Sequence, residues 1–525
     1  MSKAILMCCA ALALSLAGPL ETRAATFDVK TFGAKADGKT LDRDAINKAI
    51  DAATAAGGGT VYLPAGTYVT GSIRLRSNIT LQLEHGTVIE ASSDATAYDA
   101  AEPNQWDKFQ DFGHSHWHNS LIWGDGVENV SIVGAGLITA KALGRERGGG
   151  GDKAIALKLC HNVTLRDFSI FSGGHFGILV TGVDNLTIDN LMIDTNRDGM
   201  DIDSCRNVRI SNTSVNAPND DAIVLKGSHG LGFARATENM TITNCLVSGY
   251  EIGSLLDGTY KRTVKQAPDR DGPTGRIKIG TETEGDFKNI TISNVVFDRS
   301  RGLALEAVDG AHIEDVAVSN ITMRDVSNAP IFIRLGSRMR APEGTPIGSI
   351  RRVTISNVVA YDADPRYGSI ISGIPGHDVE DVKLSDIRIL YRGGLNLDQV
   401  AKQPADLVNT FFFRGGVPPR EAFDTPEREK EYPEPSMFGM LPAYGFFIRH
   451  AKGIELNNVE VGFIEEDRRP AFVLDHASGI DFQHVKAQKA AGVSTIVLKN
   501  VENFTARGCT PLPDTQVAAA DRREM

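Results

Sequence analysis

Residues 162–170 read NVTLRDFSI, 185–193 read NLTIDNLMI and 207–215 read NVRISNTSV. Their starts are 185 − 162 = 23 and 207 − 185 = 22 residues apart. The phrase recurs as NVSIVGAG at 129, NMTITNCLV at 239, NITISNVVF at 289, DVAVSNITM at 315, VTISNVVAY at 353, DVKLSDIRI at 381 and ELNNVEVGF at 455. Each copy alternates β-branched with polar residues and turns at Asn or Asp, the pattern of a short strand between corners. About twenty-two residues per unit with no helical periodicity predicts an all-β solenoid, a right-handed parallel β-helix with one coil per unit. Wider gaps are the same unit carrying loops.

Working outward, residues 25–91 read as an N-terminal cap with the first coils. Apolar residues at Ala45, Ile46, Ala49, Ile50 and Ala53 predict one amphipathic helix, started at Thr40 or Asp42 and stopped at Gly57–Gly59. Such a helix covers the open end of a solenoid core. Residues 92–509 are expected to continue the β-helix. Insertions at 250–275 and 400–440 are long enough to wall a groove on one face. Residues 510–525 read as a loose tail.

The chain has 525 residues, 42% of them hydrophobic, and a formal charge of −11. That charge argues against nucleic acid as a partner, since phosphate binding needs clustered Lys and Arg. Residues 1–24 read as a signal peptide, with Lys3 before an apolar run and Thr22-Arg23-Ala24 as a cleavage site. The mature protein is expected to be secreted or periplasmic, free of the membrane, and monomeric. Cys160, Cys205, Cys245 and Cys509 form no disulfide or zinc pattern. The sequons at Asn129, Asn162, Asn185, Asn239, Asn289 and Asn320 follow from corner Asn before alternating Thr or Ser.

Chemistry concentrates in residues 196–227, NRDGMDIDSCRNVRISNTSVNAPNDDAIVLKG. Asp198 and Asp220 are 220 − 198 = 22 residues apart, one coil, and Asp221 follows. Stacked coils should bring these three carboxylates together, so that one is held protonated beside an ionised neighbour. That pairing supplies an acid and a base for cleaving a glycosidic bond. Asp201 reads as a supporting residue and Asp203 as a corner. Lys226 could hold the aspartates charged or bind an acidic sugar, and Glu282 and Glu284 in IGTETEG could line the groove. His114, His116 and His118 alternate around Trp117 without metal-ligand spacing, and Trp117 reads as a sugar-stacking wall.

With FGAKADG and LPAGTY near the start, NRDGMDIDSC and then NDDAIVLKG, the chain resembles glycoside hydrolase family 28, the polygalacturonases and rhamnogalacturonases. The resemblance implies an inverting hydrolase without cofactor or metal, acting on pectic galacturonate- or rhamnogalacturonate-containing chains. It implies Asp220 as general acid and Asp198 and Asp221 as the residues that activate water. Arg197 stands where the family has Thr, and Asn219 where it has Gly or Gln. The family's Gly-His-Gly and Arg-Ile-Lys find literal matches in Ser228-His229-Gly230 and Arg276-Ile277-Lys278. His229 is thereby a supporting candidate, and Arg276 and Lys278 are substrate-binding candidates. Coil-to-coil matching moves the Arg-x-Lys slot to LALEA, around Ala304 and Glu306, and leaves Arg334 to replace the missing carboxylate grip. Two alternatives stay open: a Ca²⁺-dependent polysaccharide lyase using the aspartates as ligands, and a carbohydrate-binding β-helix without activity.

Overall fold

The computed structural model describes residues 25–144, 151–409, 411 and 417–525. The proposed signal peptide lies outside the described residues. Each repeat forms one coil of a parallel β-helix. On one sheet, strands His161–Arg166, Asp184–Asp189, Arg206–Ser211 and Thr237–Ser248 stack in register through Val163, Leu186, Val208 and Met240. A second sheet stacks Ile170, Ile193, Val215 and Val247. The third is built from strands Lys153–Lys158, Phe176–Thr181, Asp198–Asp203, Ile223–Gly227, Ile277–Thr283 and Leu303–Ala307. It stacks Ile155, Ile178, Met200, Ile223, Ile277 and Leu303. These residues point inward and are buried in one continuous core. Each buried aliphatic side chain contributes about 1.5–3 kcal/mol.

The corner asparagines explain themselves. Asn129, Asn162 and Asn185 have φ of 56°, 56° and 58°, the left-handed conformation that Asn tolerates better than other side chains. Their amides form a ladder: Asn162 Nδ2 donates to Asn129 Oδ1 at 2.9 Å, and Asn185 Nδ2 donates to Asn162 Oδ1 at 3.0 Å. Asn239 and Asn289 join a ladder from Asn207, and Asn320 one from Asn294. The sequon pattern is thus structural at these positions. Cys160, Cys205 and Cys245 are free and buried.

The cap helix spans Arg43–Ala55 and buries Ile46, Ala49, Ile50 and Ala53. Asp42 precedes it but does not cap it with its side chain. Its carboxylate accepts from the backbone N–H groups of Lys35 (2.7 Å) and Ala36 (2.9 Å) instead. The C-terminus departs from expectation. Thr515–Glu524 is not loose but pairs antiparallel with Ile496–Arg507, the last coil's strand. Main-chain bonding to an otherwise open edge orders it, and its mostly polar side chains hid this in the sequence.

Both insertions fold back on the third sheet's side. In the first, Arg262 bonds Asp298 at 2.6 Å and Asp325 at 3.0 Å, and Asp269 pairs with Arg301 at 2.6 Å. The second carries a short helix, Leu397–Lys402, with a reciprocal Asn396–Gln399 capping box. It then packs Met437, Phe438 and Leu441 against Ala304, Phe332 and Tyr367 of the sheet side. Arg334, proposed from sequence as a carboxylate grip, is fully buried beneath this insertion. Its guanidinium donates to Ser372 Oγ and the Gly373 carbonyl, both at 2.8 Å, and to the carbonyls of Glu427 (3.0 Å) and Arg428 (3.1 Å). It is a fastener, spent on one hydroxyl and three backbone oxygens and closed to substrate.

Candidate active site

Asp198 opens its strand, and Asp221 lies two residues before the start of the next one, Ile223–Gly227. One coil of rise therefore separates them. Carboxylate oxygens of Asp198, Asp220 and Asp221 lie within 4.8 Å of one another. The Asp221 N–H also donates to Asp198 Oδ1 at 3.3 Å. Gly199 makes the approach possible: a Cβ there would stand 2.4 Å from the Ala222 carbonyl oxygen and 2.3 Å from Val215 Cγ1.

The following strand supplies counter-charges. Arg276 Nε donates to Asp221 Oδ1 at 2.6 Å and Lys278 Nζ to Asp221 Oδ2 at 2.9 Å. Burial alone would raise the Asp221 pKa, yet these two cations outweigh it and hold the group well below the usual carboxylate range. Asp198 has the opposite fate. Burial, then the negative charges of Asp220 and Asp201, push its pKa well up. Asp220 is bound by Arg197, whose Nε lies 2.9 Å from Asp220 Oδ2. Burial opposes charge on Arg197, but Asp220, Asp198 and Asp111 together keep it firmly protonated. Asp111 Oδ2 also lies 3.0 Å from His175 Nε2, which contacts Arg197 as well.

Lys226 lies on the same face, 2.7 Å from Glu282 Oε2 and 4.0 Å from Asp201 Oδ1. Asp201 is buried, and neither carboxylate oxygen has a hydrogen-bond partner. Burial raises its pKa to about 8, Lys226 limiting the rise. Asp203, the expected corner, accepts from the Ser228 N–H at 2.8 Å and from Ser228 Oγ at 2.5 Å. Glu306, in LALEA, stacks one coil beyond Arg276–Lys278, with Ala304 opposite Lys278. Burial raises Glu306 to about 7. The family's basic slot thus holds no cation here.

Two cavities meet at Asp220. One, of about 270 Å³, is lined by Asp198, Asp220 and Asp221 on its floor and by His114, Phe176, Lys226, Lys278, Glu282 and Arg340. The other, of about 510 Å³, lies toward the insertions and is lined by Asn219, Asp220, Arg276, Arg301, Phe411 and Glu434. Arg197 and Tyr432 face both. Tyr432 Oη lies 3.3 Å from Lys278 Nζ, and Glu434 accepts from Arg276 (2.8 Å), Arg301 (3.2 Å) and Asn328 (3.2 Å). The second insertion is therefore a wall of the site.

Asp198, Asp220 and Asp221 lie together, as their one-coil spacing suggested, and Lys226, Arg276, Lys278 and Glu282 lie around them, although coil-to-coil matching points away from the Arg276–Lys278 string. Trp117 and His229 do not. Trp117 is 1% exposed, packs on Ala156, Phe176 and Leu179 and donates to Thr181 Oγ1 at 3.0 Å. It supports Phe176, which faces the cavity in its place. His229 lines neither cavity; its ring sits edge-on to Trp106 and Phe109, and Nδ1 pairs with Glu284. The three alternating histidines do not converge. His114 reaches the cavity, His116 bonds the Glu102 carbonyl at 2.7 Å and His118 lies 3.2 Å from Asp125. Sequence reasoning missed Asp111, His175, Arg340, Tyr432 and Glu434. The one signal among the site's unrecognised contacts was Arg197, visible as a departure from the family motif.

Comparison with known proteins follows the same lines. Residues 26–171 match the family model described as rhamnogalacturonase A/epimerase, pectate lyase-like, and residues 148–265 match the right-handed β-helix region. The fold is accordingly a right-handed parallel β-helix. A polygalacturonase of Gossypium barbadense is 26% identical over 393 residues, covering 70% of this chain and 84% of that protein. An exopolygalacturonase of Thermotoga maritima superposes with TM-score 0.57 at 20% identity, over 70% of this chain and 87% of that one. A family 28 exopolygalacturonase of Yersinia enterocolitica gives 0.60 at 18% identity, over 88% and 78%. The chain is thus similar to polygalacturonases over 70% of its length, and in fold to exopolygalacturonases. Among the described residues no helix is long and apolar enough to cross a membrane.

Proposed function

We propose that the protein is an inverting glycoside hydrolase of pectic polysaccharide or oligosaccharide, galacturonate- or rhamnogalacturonate-containing. The observation that carries hydrolysis is the convergence of Asp198, Asp220 and Asp221, whose nearest oxygens lie within 4.8 Å, at the junction of two cavities. The inverting course comes from the likeness to family 28, since oxygens this close fall below the spacing of about 6.5–9.5 Å that marks an inverting pair by distance alone. Asp220, which borders both cavities, is the general acid at the glycosidic oxygen. The proton that burial and neighbouring carboxylates hold on Asp198 can pass to Asp220, whose carboxylate lies within 4.8 Å. Moving it to Asp220 leaves Asp198 a base, and Asp221 stays ionised against Arg276 and Lys278. Water between Asp198 and Asp221 then attacks the anomeric carbon and gives up its proton. The leaving oxygen departs with the proton of Asp220, and the configuration inverts.

The polygalacturonase relatives support the substrate class. A calcium-dependent lyase is the rival reading, because the three carboxylates could hold a cation. Against it, Arg197, Arg276 and Lys278 already balance their charge. Proton NMR of the first product from defined pectic oligosaccharides decides: the inverted anomer is expected. A retained anomer, or an unsaturated UV-absorbing product lost on chelation, overturns the reading.

A further inference from the structure

The small cavity has four cationic side chains on its lining, and three are committed. Arg197 lies 2.9 Å from Asp220, Lys226 2.7 Å from Glu282 and Lys278 2.9 Å from Asp221. The fourth, Arg340, has Glu282 as its nearest carboxylate, at 3.6 Å, and that carboxylate is already bonded to Lys226. The Arg340 side chain is 35% exposed, against 9% for Lys226 and 3% for Lys278. Its base is nonetheless fixed. The Arg340 N–H donates to Asp309 Oδ1 at 2.9 Å, and neighbouring Arg338 grips the same Asp309 and the Thr281 carbonyl. A fixed backbone therefore holds, at the wall of the cavity whose floor is the catalytic carboxylates, a guanidinium whose carboxylate contact is the longest of the four, 3.6 Å to Glu282 Oε1.

We propose that Arg340 is the specificity-determining residue that takes the carboxylate of a hexuronate seated in this cavity. This rests on the hydrolase reading for which bond is cut, though not for the binding itself. The coil position from which a basic pair would otherwise reach the sugar carries Ala304 and Glu306, and Arg276 and Lys278 are engaged with Asp221. A guanidinium fork matches a carboxylate with two parallel, charge-assisted hydrogen bonds. Lys226 already neutralises Glu282, so the wall does not repel the incoming charge.

The test compares oligogalacturonate with its methyl-esterified counterpart. In the parent protein kcat/KM should favour the free acid. Arg340→Gln should collapse that acid-to-ester ratio by about ten- to hundredfold, the range of a lost charge-assisted pair. Arg340→Lys, which keeps the charge without the fork, should collapse it less and serves also where the Gln variant fails to fold. A ratio equal to the parent's in the folded variants overturns the proposal. The second arm is calorimetric titration of D-galacturonate and its methyl ester into Asp220→Asn protein, with and without Arg340→Gln. Discrimination that depends on Arg340, together with no hydrolysis by the parent protein, would sink the hydrolase reading alone. Hydrolysis with no Arg340-dependent discrimination would sink this proposal alone.

Discussion

Asp220 has to hand a proton to a departing oxygen, a task that Asn cannot perform at almost the same volume. Asp220→Asn should therefore lower kcat by about 10²–10⁴-fold, the usual contribution of a general acid. The thermal midpoint should stay near the parent's, since Asp220 is partly exposed and its main partner, Arg197, retains Asp111. Turnover on pectic oligosaccharides and a melting curve check both halves; undiminished kcat would remove Asp220 from the mechanism. Asp201 makes a different prediction because its pKa is raised to about 8 by burial. Between about pH 4, where an unfolded aspartate releases its proton, and pH 8, the native state holds a proton that the unfolded state has lost. Proton uptake then favours folding, so this group's contribution to stability falls as pH rises. The limit is about 1.4 kcal/mol per pH unit. Asp201→Asn stays neutral throughout and should gain on the parent between pH 5 and pH 7.5 in urea unfolding. Parallel pH profiles would show that Asp201 is ionised in the folded protein.

At the scale of the coil, the corner asparagines bear a cost that the fold recovers through their ladder. Asn162, at φ 56°, donates to Asn129 and accepts from Asn185. Asn162→Ala loses both bonds and places a Cβ residue without compensation in the left-handed region, at a cost of about 1–2 kcal/mol. Asn162→Gly loses the bonds but not the conformation, so it should cost less, and urea midpoints of the two variants will order them. Equal midpoints would mean the ladder, not the φ, is what Asn supplies. These corners, the coils and the cap helix were legible in the sequence because they repeat or follow a fixed period. Asp198, Asp220 and Asp221 were legible for the same reason, since one period is one step in the stack. Tyr432 and Glu434 were not. They reach the site from an insertion with no period, through contacts that span 154 and 158 residues. Trp117 misled because an aromatic flanked by polar residues reads as surface, whereas only the packed Ala156 and Leu179 show that the space behind it is core. Arg334 misled likewise: its partners are Ser372, Gly373 and backbone oxygens of the distant insertion, which side-chain patterns do not reveal.

Over the whole molecule, a β-helix must close two ends, and this one does so in two ways. The cap helix lays an apolar face over the first coil. The last coil is closed along an edge, where Thr515–Glu524 pairs antiparallel with Ile496–Arg507. Only Val517 of that strand is buried, so its value lies in satisfied backbone groups rather than in apolar area. An uncovered strand of this length, with Val497, Val501 and Phe504 along it, is a template for pairing with another chain. Removal of residues 515–525 should thus change association more than catalysis. The site aspartates lie on coils built from residues 153–335, several coils from the last, with only cavity walls added from His114, Arg340 and the second insertion, and the repeat's nearest-neighbour energetics confine most of the damage to the terminal coils. Light scattering should show mass rising with concentration in the truncated protein beyond that of the full chain. Its KM on pectic oligosaccharides should be unchanged at low concentration. A truncated protein with the full chain's mass at every concentration and the same melting curve would mean that the final strand closes nothing.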